Sequence, residues 1–243
     1  MLTFSKSVCE PKRTVNLFVV IIMFLLYYKN MIKTVIFDLD GTLLNTLLDL
    51  KESTNYALRQ FGYPERTLEE IRYFVGNGVR KLIERAVPAG VENIEECLAV
   101  FKEHYEKNMY NNTACYNSIE MILRELKEQG VKTAVVSNKF DLAVKELCEK
   151  YFSELIDVAI GQGGEILPKP SPFGVFKAMK ELGAEKDSTI YVGDSEVDVQ
   201  TAQNAGIPCI GVTWGFRGRA YLEGADLIID EPCDIIDIWK NFQ

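Results

Sequence analysis

Histidine is nearly missing from this chain of 243 residues, which holds one, His104. That scarcity speaks against a Ser-His-Asp hydrolase and against a metal centre built from several imidazoles. The six cysteines (9, 97, 115, 148, 209 and 233) form no C-x-x-C pair, so neither a zinc framework nor a disulfide scaffold is indicated, and they read as reduced thiols. Positive charge is in deficit, with 27 Lys+Arg against 35 Asp+Glu and a net charge of −8. Non-specific nucleic-acid binding needs dense Lys and Arg and is therefore not expected. There is no internal repeat and no low-complexity tract. What is present is an ordinary globular composition, 47% hydrophobic and 26% charged, with enough apolar material for a real core.

No apolar run reaches the roughly 20 residues of a spanning helix. The longest, Val15–Tyr28, is interrupted by Asn16, preceded by Lys6, Lys12 and Arg13, and followed by Lys29. That charge layout belongs to signal and anchor segments. Tyr27, Tyr28, Lys29 and Asn30 make a poor cleavage site. Residues 1–30 are thus a hydrophobic extension with three readings: a membrane anchor, an export signal, or a segment upstream of a true start at Met31. The third is adopted, because a compact domain begins cleanly at Met31. It implies a cytoplasmic protein, with membrane attachment as the alternative if 15–28 is an anchor.

From Lys33 the chain reads K-T-V-I-F-D-L-D-G-T, a β-branched and aromatic run ending in acids and a glycine. This predicts a buried strand that delivers polar groups at its C-terminal end. Helices are predicted over Leu48–Phe61, Leu68–Phe74, Gly78–Val87 and Ile94–Tyr110, with polar turn formers over Asn111–Asn117. After a helix over Ser118–Gln129, strands (Val131–Ser137, Ile156–Ile160, Thr189–Val192, Pro208–Val212, Leu227–Ile229) alternate with helices (Asp141–Tyr151, Pro172–Leu182, Val197–Asn204, Cys233–Lys240). Such alternation implies an α/β doubly wound parallel sheet. The helical block after the first strand reads as an inserted subdomain over 47–113, leaving 31–46 and 114–243 as the core.

Ligands in such sheets sit at the C-terminal strand ends. Those ends supply Asp38 and Asp40, Ser137 and Asn138, and Asp194 and Asp198, while Lys169 comes from the Pro-flanked loop L-P-K-P-S-P. A carboxylate such as Asp38 is a competent nucleophile toward phosphorus, and a neighbour such as Asp40 can move the leaving-group proton. Asp194 and Asp198 with Asp38 could hold Mg²⁺, which favours carboxylate oxygens. Ser137 and backbone N–H groups near Asn138 suit phosphate oxygens, and Lys169 could offset the crowded negative charge. Singly, each has a plainer explanation: an acidic turn, a helix cap, a solvated loop lysine. Four such elements in chain order at one sheet edge favour the chemical reading.

D-L-D-G-T-L, V-V-S-N-K, K-P-S-P and G-D-S-E-V-D resemble the four motifs of the haloacid dehalogenase superfamily, a match running from Met31 to the C-terminus. The helical block resembles that superfamily's α-helical cap. The resemblance implies Asp38 as nucleophile, Asp40 as general acid/base, Ser137 and Lys169 as phosphoryl ligands, and Mg²⁺ held by Asp38, the Asp40 carbonyl and Asp194, with Asp198 orienting the metal shell. Dehalogenase members lack the second Asp, so Asp40 points to phosphoryl chemistry. Within the superfamily the chain is most similar to the phosphoglycolate phosphatase group, through F-V-G-N-G-V-R-K-L-I-E-R-A, G-Q-G-G-E and G-V-T-W-G-F. It departs where P-Y-P-G-V is usual and C-Y-N-S-I stands, and where Asp-Ser is usual after the first motif and Asn45-Thr46 stands.

The expected function is therefore an Mg²⁺-dependent phosphatase of a small phosphate monoester, phosphoglycolate-like, with a phosphorylated metabolite as its partner. A pyrophosphatase or a broad sugar-phosphate phosphatase shares the scaffold. A phosphomutase is disfavoured because β-phosphoglucomutase-like caps carry a histidine soon after the first motif. A phospho-accepting receiver module is disfavoured by the helical insert, and a non-catalytic relative by the full set of chemical residues. In the cap, Gly76 and Gly78 offer close backbone approach, and Arg80 or Lys81 is the expected reader of the non-phosphoryl end. His104, Trp214 and Phe216 are expected to pack.

Overall fold

The computed structural model describes residues 32–236; the extension over 1–30 lies outside them. The chain forms β1 (Thr34–Phe37) and β2 (Leu44–Asn45), then α1 (Leu47–Gln60), α2 (Leu68–Phe74), α3 (Val79–Ala86) and α4 (Ile94–Asn108). Next come β3 (Ala114–Cys115), α5 (Ile119–Glu128), β4 (Lys132–Phe140), α6 (Asp141–Phe152) and β5 (Val158–Gln162). The remainder is α7 (Phe173–Leu182), β6 (Thr189–Gly193), α8 (Glu196–Ala205), β7 (Cys209–Val212) and β8 (Leu227–Ile229). Of the last predicted helix, residues 234–236 are helical and the rest is outside the described residues.

Six strands make one parallel sheet in the order β5-β4-β1-β6-β7-β8. The strand sequences are near-continuous apolar runs because both faces are covered. Alternate residues of β1 point to opposite layers: Val35 and Phe37 join the cluster with α5 and α6, whereas Ile36 joins that with α7 and α8. Phe37 is in register with Val135 and Val192, so Asp38 leaves β1 between the ends of β4 and β6. This is where the chain's winding direction reverses, the crevice in which such sheets bind ligands. β4 runs to Phe140, beyond the predicted Ser137, with a register irregularity between Val136 and Phe140.

The helices α1 to α4 form a subdomain between β2 and β3, which pair antiparallel through Leu44↔Cys115 and Asn45↔Ala114. Two-residue strands carry no period, so the sequence shows only turn formers where this ribbon stands. The apolar interior of the subdomain, including Leu58, Ile71, Ile83, Phe101 and Tyr105, is continuous with the layer that covers Val35 and Phe37 of β1. Entry to α2 is set by a capping box: Thr67 N–H donates to Glu70 Oε2 at 2.8 Å, and Glu70 N–H to Thr67 Oγ1 at 3.2 Å. Among the described residues no helix is long and apolar enough to cross a membrane.

One buried acid ties the two crossings together. Asp49, in the first turn of α1, accepts from Asn112 N–H and Nδ2 at 3.0 and 2.8 Å and from Thr113 N–H and Oγ1 at 2.8 and 2.9 Å. Removing its carboxylate strands several buried donors at once. Asp49→Ala is expected to cost about 2–4 kcal/mol in urea unfolding, with Asp49→Asn costing less. Equal losses for the two variants would contradict this.

Candidate active site

The C-terminal ends of β1, β4 and β6 open onto one cavity, closed from above by the start of α3 and the loop before it. Asp38, Asp40, Ser137, Asn138 and Asp194 line it on the core side, and Gly76, Gly78 and Leu82 on the helical side. Lys169 is buried against Asp38, and Asp198 against Lys169. Arg80 and Lys81 do not reach the cavity. They are half exposed on the outer face of α3, where Arg80 pairs with Glu95 and Glu84, and Lys81 with Glu84 at 2.6 Å. The helical turn beginning at Gly78 carries them away from the sheet, so the expected role of either as substrate reader is not supported by its position.

Local backbone explains how so many acids converge. Gly41 has φ +89°, and a Cβ there would lie 2.4 Å from Asp194 Oδ2. The turn after β1 therefore passes against Asp194 only because it carries no side chain. Gly78 has φ +90°, and a Cβ there would meet Gln162 Oε1 at 2.8 Å, so the same freedom lets the helical block approach the strand ends.

Lys169 is the hub. Its ammonium is 2.7 Å from Asp198 Oδ1, 2.9 Å from Asp38 Oδ1 and 3.0 Å from the Tyr191 hydroxyl. The approach to Asp38 is a charge contact without hydrogen-bond alignment, which leaves Asp38 Oδ1 buried with no aligned donor. Asp198 is fully buried, and its second oxygen accepts from Ser195 N–H at 3.1 Å and Ser195 Oγ at 2.6 Å. Asp198 is thus both a helix cap and the counter-ion of Lys169. The Asn138 amide is committed to main chain: Oδ1 accepts from Lys169 N–H at 2.7 Å, and Nδ2 donates to the carbonyls of Lys169 and Gly76, both at 3.1 Å. The amide thereby ties two loops to the strand end, and the backbone N–H groups near it are the phosphate donors expected from the sequence.

Asp40 accepts from Thr46 Oγ1 at 2.6 Å and from Lys139 Nζ at 3.0 Å through each oxygen. Lys139 is buried and sits 4.6 Å from the centre of the Tyr105 ring of α4. The sequence does not single it out, although it ends the motif V-V-S-N-K; nothing in one chain marks a lysine as buried. His104 packs in the helical block, its ring stacked 4.0 Å from that of Tyr56. Trp214 donates to the Thr42 carbonyl at 3.0 Å, whereas Phe216 lines the cavity.

The electrostatics follow from burial. Burial pushes the Asp38 carboxyl from its ordinary 3.8 to about 6, with Lys169 opposing and Asp198 reinforcing. Burial also drives Asp194 well above the carboxylate range, helped by Asp198 and Asp38 and opposed by the 2.7 Å bond from Phe216 N–H. For Lys169, burial works against the charge, yet Asp198 and Asp38 outweigh it and hold the ammonium protonated. Asp38, Asp194 and Asp198 each offer a carboxylate oxygen within 4.8 Å of the others. An all-oxygen acidic set converging in this way fits a hard divalent cation.

Comparison with known proteins agrees with this geometry. A family model described as haloacid dehalogenase-like hydrolase matches residues 35–212. The chain belongs to that family. This hydrolase is similar to phosphoglycolate phosphatase of Pseudomonas putida, with 34% identity over 82% of this chain and 76% of the relative. Among solved structures it is similar to a candidate phosphoglycolate phosphatase from Lactobacillus delbrueckii subsp. bulgaricus (TM-score 0.79, 33% identity, 86% of this chain and 98% of that one). It is also similar to a mutant of CbbY from Rhodobacter sphaeroides in complex with xylulose-1,5-bisphosphate (TM-score 0.70, 26% identity, 83% and 95%). The hydrolase is a phosphatase, an enzyme acting on phosphoric monoesters.

The raised Asp38 carboxyl has a consequence for stability. Between 3.8 and about 6 the folded metal-free protein binds more protons than the unfolded chain. The penalty is absent below that window and complete above it, so this group destabilises the fold as pH rises to 7. In chelator, Asp38→Asn is expected to stabilise the fold at pH 7 by about 1–3 kcal/mol, raising Tm by about 2–10 °C, and to flatten the pH slope. An Asn variant that melts lower than wild type at pH 7 would contradict the assignment.

Proposed function

We propose that this chain is an Mg²⁺-dependent phosphatase of a small phosphate monoester, phosphoglycolate-like, that works through an aspartyl-phosphate on Asp38. The observation that carries the reading is the Asp38 side chain itself. It is a buried carboxylate that lines the cavity at the end of β1, with the Lys169 ammonium 2.9 Å from its Oδ1. A carboxylate so placed is a competent nucleophile toward phosphorus, and the neighbouring ammonium offsets the charge that an incoming phosphoryl group adds. Asp38, Asp194 and the Asp40 carbonyl would hold Mg²⁺, with Asp198 orienting the set. Bound there, the ion would offset the negative charge that gathers between nucleophile and phosphoryl oxygens.

The chain's own residues supply the rest. Asp38 attacks phosphorus as the bond to the ester oxygen breaks, and the Asp40 carboxyl gives its proton to the departing alcohol. Water then attacks the phosphorus of the aspartyl-phosphate, Asp40 takes its proton, and inorganic phosphate leaves with Asp38 restored. Lys169 and the Ser137 hydroxyl face the phosphoryl oxygens, and Asp198 positions Lys169. Lys139 and Thr46 hold the Asp40 side chain in place. Leu50, Val75, Val79 and Leu82 give the cavity apolar walls that shield the acyl phosphate from bulk water. The free thiols Cys97, Cys115, Cys148, Cys209 and Cys233 suit a reducing cytoplasm.

The test is a panel of phosphate esters and pyrophosphate, with and without Mg²⁺. Turnover is expected on small monoesters, lost in chelator and restored by Mg²⁺. Asp38→Asn is expected to lower it by about 10³-fold or more. An Asn variant within tenfold of wild type would remove Asp38 as nucleophile, and pyrophosphate as the best substrate would remove the monoester reading.

A further inference from the structure

We propose that Arg217 is the specificity-determining residue that meets the non-phosphoryl end of the substrate, reading a carboxylate close to the phosphoryl group. The inference rests on the phosphatase reading above and assigns a specificity-determining residue to it.

Among the described residues, two basic side chains line the cavity, Lys139 and Arg217. Lys139 is neutralised by both oxygens of Asp40. Arg217 is different. It stands on the segment after β7 and is buried, with 9% of its surface exposed. Its hydrogen bonds all go to neutral carbonyls at the end of α2: Nη1 to Arg72 at 3.0 Å, and Nη2 to Tyr73 at 3.1 Å and Val75 at 2.8 Å. The carboxylate nearest to it in an ion pair is Glu196, half exposed and 3.7 Å from Nε. Tyr73 and Tyr221 rings lie 5.7 and 5.6 Å from the guanidinium carbon and confine it further.

Carbonyls fix a guanidinium in place without cancelling its charge. The group has five N–H donors, and three bonds leave the Nε–H and one Nη1–H without a carbonyl. A held, poorly neutralised cation in a partly desolvated cavity attracts an anion strongly. The phosphoryl end of a substrate is directed to Asp38, so the anion left for Arg217 is the substrate's other end. A carboxylate matches guanidinium geometry better than it matches an ammonium.

The same bonds make Arg217 a tie between the core and the helical block, and a tie alone would affect all esters alike. The discriminating quantity is therefore a ratio. 2-Phosphoglycolate and ethyl phosphate differ by a carboxylate in place of a methyl group. Their kcat/KM values would be measured with Mg²⁺ for wild type, Arg217→Met and Arg217→Lys, with melting temperatures as a check on folding. Wild type is expected to favour phosphoglycolate by at least about tenfold; Arg217→Met is expected to cut that ratio by about 10–100-fold, chiefly through KM, and Arg217→Lys to retain part of it. A ratio unchanged in Arg217→Met, or equal kcat/KM for both esters in wild type, overturns the inference while leaving the phosphatase reading intact. Should Arg217→Met not fold, the wild-type ratio and its fall in Arg217→Lys decide alone. Absence of Asp38-dependent hydrolysis of any ester would overturn the phosphatase reading instead.

Discussion

Three carboxylates within 4.8 Å of one another repel, and burial deepens the cost by removing water. The ammonium of Lys169 is what lets the group persist, through Asp198 at 2.7 Å and Asp38 at 2.9 Å. Much of the surrounding structure serves to hold that ammonium where it is. Asn138 grips the Lys169 main chain on both its N–H and its carbonyl, and Tyr191, on β6, meets the ammonium from the sheet. Asp198 passes the constraint on to the start of α8 through Ser195. One cation against three acids still leaves negative charge in surplus, and that surplus is the physical basis for expecting a divalent ion.

Core and helical block are joined by polar ties around the cavity as well as by chain. Asn138 reaches the Gly76 carbonyl, Arg217 reaches the end of α2, and the Lys139 ammonium lies against the Tyr105 ring of α4. Each tie originates from a residue that itself lines the cavity. The position of the helical block is thereby linked to the same strand ends that hold the acids.

Much of the fold is readable from the chain because its signals are local. The apolar strands that end in acids, and the helix start at Thr67, depend on near neighbours in sequence, and Leu68–Phe74 has the predicted bounds. Alternation of strands and helices implies a parallel sheet whose C-terminal ends share one edge, whereas the gathering of Asp38, Asp40, Ser137 and Asp194 in one cavity depends on β1 lying between β4 and β6, which only the structure gives. What is not legible depends on contacts across long separations. Lys139, Arg217, Arg80 and Lys81 are equivalent as letters, yet the first two are buried against the cavity and the others are solvated with glutamates. The β2–β3 ribbon escapes notice because two residues are too few to show a period. The commitment of the Asn138 amide to Gly76 and Lys169 is hidden for the same reason, since those partners lie 62 and 31 residues away.

The ribbon of Leu44–Asn45 with Ala114–Cys115 brings the entry and exit of the helical block side by side. A module grafted through so narrow a neck can lengthen, shorten or exchange its helices without moving the strand register below it. Reactive groups on the sheet edge and the apolar walls above them thus come from separate stretches of the chain. Remodelling the roof would change the shape of the space above the acids, while Arg217 and the reactive groups stay with the core below.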